Sequence, residues 1–291
     1  MNRKYIYYSR EFFGLVSLLF KLFIPSRKLQ ILSIYFHNPS PYLFGSIIKH
    51  LNDCGYKFIS LKQFNEIIEN RQLNEKVAII TIDDGWQNNL KLLDIVRKYK
   101  VFITIFITTT SVEEGNFWWE YVIKRENINK PIIKQELESI KKLNEKSFYA
   151  EIRKLKSSLN LERSALTKEE VIQLSKEPFV AIGSHSVSHP ILTNISYKVQ
   201  KSELSDSKIV LESWTNNSVI FFSYPNGNYS EELKTLAKEC GYELCFIDDA
   251  SYIDLDKVDK FSIPRMSIYD NGGYFEALSK IYGIWQRFHK E

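Results

Sequence analysis

The stretch Val77-Ala78-Ile79-Ile80-Thr81-Ile82-Asp83-Asp84-Gly85 joins an unbroken apolar run to two adjacent aspartates. A continuous apolar run of this length is typical of a strand that is buried on both faces of a parallel sheet. Two ionised carboxylates at the end of such a strand repel each other unless a cation or a proton intervenes. Because Asp-Asp-Gly also occurs in ordinary turns, the motif indicates a metal site only when other ligands accompany it.

Those other ligands follow a second apolar run, which ends in His185-Ser186-Val187-Ser188-His189. Two of the five histidines of the chain thus follow a strand-like run in the way the aspartates do. Two neutral imidazoles and one carboxylate suit a catalytic divalent cation with open positions. We therefore expect the metal ligands to be Asp84, His185 and His189. Zinc is the expected metal, with cobalt, nickel or manganese as alternatives.

Asp83 stands beside this set without being needed as a ligand, so it is available as a base that takes a proton from water. A metal and a base together predict hydrolysis of an amide or ester. The leaving amine also needs a proton from a general acid. His37 is our candidate because it ends the first predicted strand, whereas the other remaining histidines fall in helices.

Strand-like runs and amphipathic helices alternate along the chain, which predicts a parallel sheet. Seven or eight strands of this kind fit a distorted (β/α) barrel, and 291 residues with 44% hydrophobic side chains suffice for it. The predicted strands cover residues 31–36, 57–60, 77–82, 101–107, 179–184, 218–224, 242–247 and 262–268. In such barrels the functional groups lie just after the strands. The candidates at these positions are His37, Asp83, Asp84, His185, His189 and Tyr224.

Composition limits the partners and the compartment. The 39 basic and 35 acidic residues are scattered and leave a net charge of only +4, so a nucleic-acid partner is not expected. Three cysteines without a metal-type doublet suit a reducing compartment, and we expect a cytoplasmic location. Residues 30–291 are predicted to form the barrel domain. Within it, residues 113–165 contain no strand-like run and predict a helical insertion.

Residues 1–29 are predicted to form an N-terminal helical extension. Its apolar core, residues 12–20, is short and bracketed by charges, so it is a poor spanning helix. It also lacks the small-residue cleavage site of a secretory signal. Two alternatives stay open: the helix docks on the core, or residues 5–26 contact an anionic membrane surface at the inner face of the membrane.

Three motifs resemble those of the polysaccharide deacetylases, the carbohydrate esterase family 4 with the NodB homology domain. Residues 81–85 resemble the Thr-Phe-Asp-Asp-Gly motif, and residues 185–189 match the second motif, His-Ser/Thr-x-x-His. Phe222-Ser223-Tyr224-Pro225-Asn226-Gly227 resembles a variant of the third motif, Arg-x-Pro-Tyr. The similarity covers roughly residues 30–270. It implies a distorted (β/α) barrel and metal-dependent removal of acyl groups from N-acetylated sugars, with the base and ligands on the residues already chosen.

The chain departs from the family pattern in three places. Ser223 and Asn226 stand where the third motif has its arginine and tyrosine. The backbone N–H of Asn226 is still expected to stabilise the oxyanion, and Arg265 is expected to replace the arginine that orients the base. The C-terminal Leu-x-His motif, which carries the acid, is missing. His37 follows Tyr35-Phe36, which resembles the N-terminal Tyr-His element of the circularly permuted subgroup of the family.

Tyr224 and Trp86 are expected to contact the sugar, Trp86 together with Trp118 and Trp119 as a stacking floor. The expected substrate is an N-acetylated saccharide, lipid-linked or oligomeric. Three other functions stay open. They are a sugar deformylase on the same scaffold, a non-catalytic carbohydrate-binding protein, and a membrane-surface scaffold that works through the N-terminal segment. The intact aspartates and histidines oppose the second, because sugar binding alone needs neither a metal triad nor a base.

Overall fold

The computed structural model of the protein describes residues 3–20, 30–125 and 130–285. Within these ranges seven parallel strands close into a barrel surrounded by helices. The sheet contains eight described strands, seven of them in the barrel: β1 Ile31–Phe36, β2 Lys57–Phe58, β3 Val77–Ile82, β4 Ile103–Ile107, β5 Val180–Ser184, β6 Phe221–Ser223, β7 Leu244–Asp248 and β8 Ile263–Ser267. The predicted (β/α) barrel with a helical insertion is therefore confirmed.

The barrel closes at β3. This strand pairs with β1 along its whole length, from Ile31 opposite Val77 to Phe36 opposite Ile82. On its other side β3 pairs first with β2 and then with β4. From β4 to β8 the neighbours follow the chain order, and β8 returns to β1. Since β2 pairs only with β3 among the described strands, it stands outside the ring of seven. All strands are parallel, so their carboxyl ends meet at one rim.

The helices surround this ring. They are α1 Arg3–Phe20, α2 Pro41–Asp53, α3 Leu61–Asn70, α4 Leu93–Tyr99, α5 Thr109–Glu114, α6 Glu120–Ile123, α7 Lys130–Lys141, α8 Glu145–Ser158, α9 Lys168–Leu174, α10 Tyr197–Thr215, α11 Glu231–Glu239 and α12 Tyr274–Ile281. Helices α3 and α9 begin with full capping boxes, in which Ser60 pairs with Gln63 and Thr167 with Glu170. Such caps satisfy the N–H groups that a helix leaves unbonded at its first turn.

The insertion between β4 and α9 consists mainly of α6, α7 and α8. These helices bury a small apolar cluster of their own, formed by Trp118, Tyr121, Val122, Ile140, Phe148, Ile152 and Leu155. The cluster is fastened to the barrel at the carboxyl rim, where the indole N–H of Trp118 donates to the carbonyl of His189. The insertion therefore stands beside the face at which functional groups are expected.

Helix α1 docks on α12. The Ser17 and Ser279 hydroxyls lie 2.6 Å apart, and the Glu11 carboxylate accepts the backbone N–H groups of Phe275 and Glu276. Docking on the core was one of the two alternatives left open by the sequence. No helix within the described ranges is long and apolar enough to cross a membrane. Membrane contact through residues 5–26 stays a prediction, and residues 21–26 lie outside the described residues.

Candidate active site

Strand register brings two of the candidate side chains together. Alternate residues of a strand point to the same face. In β3 the row that contains buried Ile79 continues through Thr81 to Asp83, and in β8 the row of Ile263 continues to Arg265. Ile79 and Ile263 belong to one apolar cluster. Further along these rows, near the carboxyl rim, the Arg265 guanidinium donates hydrogen bonds to Thr81 and Asp83.

The rim surrounds a pocket of about 340 Å³, a size common for small-molecule sites. Every residue singled out from the sequence as a site residue lies on its wall. Arg265 comes from β8, and the others come from the segments that follow β1, β3, β5 and β6, which parallel pairing brings to the same end of the barrel.

Asp84, His185 and His189 form a compact group of potential ligands. Asp84 Oδ1 lies 3.6 Å from His185 Nε2 and 3.8 Å from His189 Nε2, and one ligand atom from each residue lies within 4.8 Å of the others. These separations are too long for hydrogen bonds. They suit donor atoms arranged around one shared ion. The three side chains are therefore able to hold a divalent cation.

Neighbouring groups fix the direction of these ligand atoms. The Nδ1 atom of His185 lies 2.7 Å from the carbonyl oxygen of Ser223, so Nδ1 carries the proton and Nε2 keeps its lone pair. The indole N–H of Trp86 donates to Asp84 Oδ2 over 2.9 Å, which leaves Oδ1 facing the imidazoles. Supporting hydrogen bonds of this kind usually orient metal ligands. The residues present thus fit a bound cation.

The electrostatics also favour a cation at this position. Burial raises the pKa of Asp84 above its ordinary value, despite the opposing charges of His37 and His185. Burial and the neighbouring His185 hold the pKa of His189 well below its ordinary value. His189 is therefore a neutral imidazole, the form that binds metals. A buried carboxylate is costly unless its negative charge is neutralised, and a cation would supply the opposite charge.

The ligand loops adopt unusual backbone conformations. Asp84, Ser186 and His189 have φ angles of 77°, 68° and 58°, in the left-handed region that non-glycine residues rarely occupy. Each such residue costs of order 1–3 kcal/mol and persists only where the surroundings enforce it. Two of the three are the proposed ligands themselves, so the strain is concentrated where the site must aim its donor atoms.

A buried glutamate from α10 enforces the conformation of the histidine loop. Glu203 is 4% exposed. One carboxylate oxygen accepts the backbone N–H groups of Val187 and Ser188 at 2.8 and 2.9 Å. The other accepts the hydroxyls of Ser188 and of Tyr149 in the insertion, at 2.5 and 2.8 Å. Three of these hydrogen bonds tie the loop between His185 and His189 to α10, and the fourth ties the insertion to the same glutamate. The sequence analysis missed this residue, which lies inside an ordinary amphipathic helix.

Asp83 is held in a different way. Both of its oxygens accept hydrogen bonds from the Arg265 guanidinium, at 2.8 Å each, and Asp83 Oδ2 lies 3.9 Å from His185 Nε2. Burial alone would raise the pKa of Asp83. The charge and hydrogen bonds of Arg265, together with the charges of His185 and His37, outweigh burial and hold that pKa well below its usual range. Asp83 is therefore ionised at neutral pH. Arg265, expected to orient the base, is the residue that pairs with it.

Ser223 explains how Arg265 fits. Its hydroxyl accepts from Arg265 Nη2 at 2.7 Å and lies 3.1 Å from Asp83 Oδ2, to which it donates. Ser223 occupies the position that corresponds to the arginine of the third motif. A small side chain on β6 leaves space for a guanidinium that arrives from β8. The small Ser223 side chain and the Arg265 guanidinium thus fit together in the space where the family pattern has a single arginine.

His37 lies on the pocket wall next to three carboxylates. Its backbone N–H donates to Asp270 Oδ1 over 3.2 Å, and its carbonyl accepts from the Asn89 amide at 2.9 Å. Burial lowers the pKa of the His37 imidazole, but the charges of Asp84, Asp83 and Asp270 outweigh it, and the net shift is upward. The protonated form, which a general acid requires, is therefore favoured.

The third motif presents one open donor. Asn226 has a φ angle of 57° in the turn Pro225–Gly227, and its side-chain oxygen accepts from Lys141 Nζ at 2.8 Å. Its backbone N–H makes no hydrogen bond with any described residue. Tyr224 differs, because its N–H donates to the Phe246 carbonyl and its side chain is 1% exposed. The N–H of Tyr224 therefore cannot serve an oxyanion.

The insertion also contributes to the wall. Trp119, which the sequence placed in the stacking floor, lies with its ring 4.7 Å from that of His189. Lys141, which was not singled out from the sequence, borders the pocket from α7. Asp248 and Asp270 complete the wall. A signal did exist for these two aspartates, since Asp248 ends β7 and Asp270 follows β8. No comparable signal marked Lys141.

Comparison with known proteins agrees with this barrel and its motifs. Residues 70–245, more than half of the chain, match the family model for polysaccharide deacetylase. The chain therefore belongs to the polysaccharide deacetylase family, and this membership supports a hydrolytic deacetylase activity. The family is generally metal-dependent, in keeping with the Asp84, His185 and His189 group. Membership in the circularly permuted subgroup stays a prediction.

Individual relatives are distant. "Putative polysaccharide deacetylase YxkH" of Bacillus subtilis (strain 168) is 22% identical over 203 residues, which are 69% of this chain and 55% of the relative. The chain thus spans about half the length of that relative. The deacetylase PplD of Streptococcus pyogenes, solved in complex with acetate, superposes with a TM-score of 0.62 at 21% identity, covering 88% of this chain and 99% of that one. IcaB from Ammonifex degensii gives 0.62 at 13%, covering 88% and 98%. At these identities the solved structures show the shared fold alone.

Proposed function

We propose that the protein is a metal-dependent hydrolase that removes the N-acetyl group from an N-acetylated sugar or saccharide. One observation carries the proposal. Asp83 is a buried carboxylate that Arg265 keeps ionised, and it stands directly beside the group of Asp84, His185 and His189. A protein that only bound sugars would not need a base next to three potential ligands. Family membership supports the same reaction.

Asp84, His185 and His189 would hold the cation, with zinc as our first choice and cobalt, nickel or manganese as alternatives. A divalent cation in this position supplies Lewis acidity, which makes water more acidic and polarises the amide carbonyl. Histidine nitrogens and one carboxylate suit all four metals, so the donor set alone does not select among them.

Asp83 takes the proton from the attacking water. An ionised carboxylate offers roughly four acceptor sites. Arg265 and Ser223 use two of them on Oδ2 and one on Oδ1. The remaining site on Oδ1 is available for water. Because Arg265 holds the carboxylate in a fixed plane, it orients this acceptor as well as keeping it ionised.

His37 and Asn226 act on the other side of the reaction. The protonated imidazole of His37 donates its proton to the nitrogen of the leaving amine. The open backbone N–H of Asn226 donates to the oxyanion of the tetrahedral intermediate, a contribution typically worth about 10²–10³ in rate. Trp86 supplies aromatic surface beside the sugar while its indole N–H also holds Asp84. The Tyr224 side chain is buried and has almost no surface to offer the sugar.

The test is acetate release from an N-acetylglucosamine oligomer by the zinc- or cobalt-loaded protein. Asp83→Asn is expected to lower the rate by roughly 10²–10⁴, the usual contribution of a general base. Metal content after purification should stay close to that of the wild type, because Asp83 is not a proposed ligand. Asp206→Asn, an exposed site on α10, is the matched control. Acetate release that survived Asp83→Asn would overturn the assignment of the base.

A separate measurement identifies the acyl group that the protein removes. Mass spectrometry of N-acetylated and N-formylated saccharides after incubation reports whether acetyl or formyl is lost. We expect loss of acetyl, and exclusive loss of formyl would make the protein a sugar deformylase.

The cytoplasmic location stays a prediction. The structure has Cys54, Cys240 and Cys245 as free thiols, as a reducing compartment would require.

A further inference from the structure

A second groove lies beside the active-site pocket on the same rim of the barrel. Its volume is about 790 Å³, more than twice the 340 Å³ of the pocket. The segments after β1 and β8 form two of its sides, and helix α1 forms the third. Asp270 borders both cavities, and its carboxylate accepts the backbone N–H of His37. The groove and the pocket therefore meet at Asp270.

Tyrosine rings dominate the lining of this groove. Its tyrosines are Tyr7, Tyr8, Tyr42, Tyr269 and Tyr274. Tyr42 is 79% exposed and Tyr8 65% exposed, so large aromatic surfaces face solvent here. A tyrosine combines a flat apolar face with a polar tip. That combination suits a sugar ring, which presents C–H groups on its faces and hydroxyls at its edge.

The charge of the groove favours a neutral saccharide over an anionic surface. Arg10 is the one cation among its described lining residues, and it is already paired with Glu276 at 2.5 Å. The same guanidinium lies 4.6 Å from the ring centroid of Tyr269. Surfaces that bind anionic lipids carry clusters of several lysines and arginines. The groove has aromatic stacking surface without such a cluster.

Helix α1 forms one wall of the groove and is held firmly against α12. Its Glu11 carboxylate caps the first N–H groups of α12, at Phe275 and Glu276. A Cβ added at Gly273 would lie 1.8 Å from the Glu11 carboxylate, and one at Gly14 would lie 2.5 Å from the backbone nitrogen of Glu276. The helix approaches this closely only because both positions are glycine. The tyrosines on α1 are therefore held in fixed positions opposite those of the two rim segments.

We propose that this groove binds further sugar units of an oligomeric saccharide whose reacting N-acetyl sugar occupies the active-site pocket. The inference rests on the proposed deacetylase function and adds a preference for substrate length. Stacking on Tyr42 and Tyr8 adds binding energy remote from the reacting bond. An oligomer long enough to pass Asp270 gains this energy, and a disaccharide does not.

The experiment compares N-acetylglucosamine oligomers of two to six units with the zinc-loaded full chain. For the wild type, kcat/KM should rise with length. The double variant Tyr8→Ala/Tyr42→Ala should lower kcat/KM for the hexamer roughly tenfold, the scale of a lost aromatic contact at a binding site, and change the value for the dimer much less. Tyr197→Ala, on the exposed face of α10, is the matched control and should change neither.

Binding gives a second readout that does not depend on turnover. Calorimetry with Asp83→Asn should show tighter binding of the hexamer than of the dimer, and the tyrosine changes should abolish the difference. Equal affinities for hexamer and dimer, or a length preference that survives both tyrosine changes, would overturn the proposal that the groove binds further sugar units. Dimer hydrolysis by the wild type reports the proposed function separately. Co-sedimentation with phosphatidylglycerol vesicles that is lost in the double variant, without any effect on oligomers, would assign the groove to a lipid surface and also overturn the proposal.

Discussion

Asp83 and Arg265 are 4% and 1% exposed in their side chains, so they form an ion pair almost fully removed from water. Removing one partner of such a pair leaves an uncompensated buried charge and typically costs about 3–5 kcal/mol. Arg265→Met should therefore lower the free energy of unfolding by that amount. It should also raise the pKa of Asp83, because the main charge that lowers it is gone. The base is then protonated over a wider range of acid pH.

Urea unfolding and a pH–rate profile check both effects. The acid limb of kcat/KM should move to higher pH in Arg265→Met. The double variant Asp83→Asn/Arg265→Met should recover part of the stability, because no buried charge is left unpaired, while staying inactive. An Arg265→Met protein with the unfolding midpoint and the acid limb of the wild type would contradict the orienting role of this arginine.

Glu203 is the residue on which the histidine loop depends. Its carboxylate holds the N–H groups of Val187 and Ser188 between the two proposed ligands. Glu203→Met preserves much of the volume and removes these acceptors. We expect the affinity for zinc to fall about 10–100-fold, as for other residues that orient metal ligands. Glu203→Gln keeps one acceptor oxygen and should retain most of the affinity.

Competition with a chromophoric chelator measures this affinity directly. Glu212→Met is the matched control, since Glu212 also lies on α10 and also accepts a backbone N–H, that of Val219. It should reduce stability without changing zinc affinity. Equal zinc affinities in Glu203→Met and the wild type would show that the loop keeps its conformation without the glutamate.

At the scale of the element, the close contact between α1 and α12 depends on glycine at position 14 of α1. A Cβ at Gly14 would lie 2.5 Å from the Glu276 nitrogen and 2.6 Å from the Phe275 carbonyl carbon, both backbone atoms that cannot rotate away. Alanine normally favours a helix over glycine by roughly 0.5–1 kcal/mol. Here the overlap should reverse that sign, with a net loss of about 1–2 kcal/mol expected for a strained close contact.

Urea unfolding of Gly14→Ala tests this reversal. Gly45→Ala on α2 is the control, because its Cβ would meet only a flexible side-chain methyl of Ile95 at 3.2 Å. That variant should be neutral or slightly stabilised. If Gly14→Ala were also stabilised, α1 would not be held as closely as the structure indicates. A displaced α1 should also weaken binding of the N-acetylglucosamine hexamer.

The elements differ in how far the sequence could predict them. Strand ends were predictable because buried parallel strands are continuous apolar runs, and Asp83, Asp84, His185 and His189 follow such runs directly. Their assembly into one pocket then follows from parallel pairing. The docking of α1 was not predictable. It depends on contacts such as Ser17 with Ser279, 262 positions apart, and no local pattern encodes them. The same holds for Lys141, which reaches Asn226 from an insertion whose helices could pack in several ways.

At the scale of the whole molecule, the proposed metal site fastens different parts of the barrel to one another. Its ligands follow β3 and β5, while the base beside it is paired with β8. A cation that binds the folded protein and not the unfolded chain therefore stabilises the barrel as a unit. At a free zinc concentration about 100 times Kd the gain is about 2.7 kcal/mol. For a protein of this size the corresponding rise in Tm is roughly 5–10 °C.

Thermal unfolding with added zinc and with chelator measures this linkage without any substrate. The zinc-dependent rise should vanish in His189→Ala, which removes one proposed ligand. It should persist in His50→Ala, because His50 bonds to Tyr282 and lies away from the site. Zinc-dependent shifts of equal size in the wild type and His189→Ala would place the bound metal elsewhere on the molecule. A shift confined to proteins with an intact Asp84, His185 and His189 group would tie metal binding to the same three residues that the two strand-end motifs bring together.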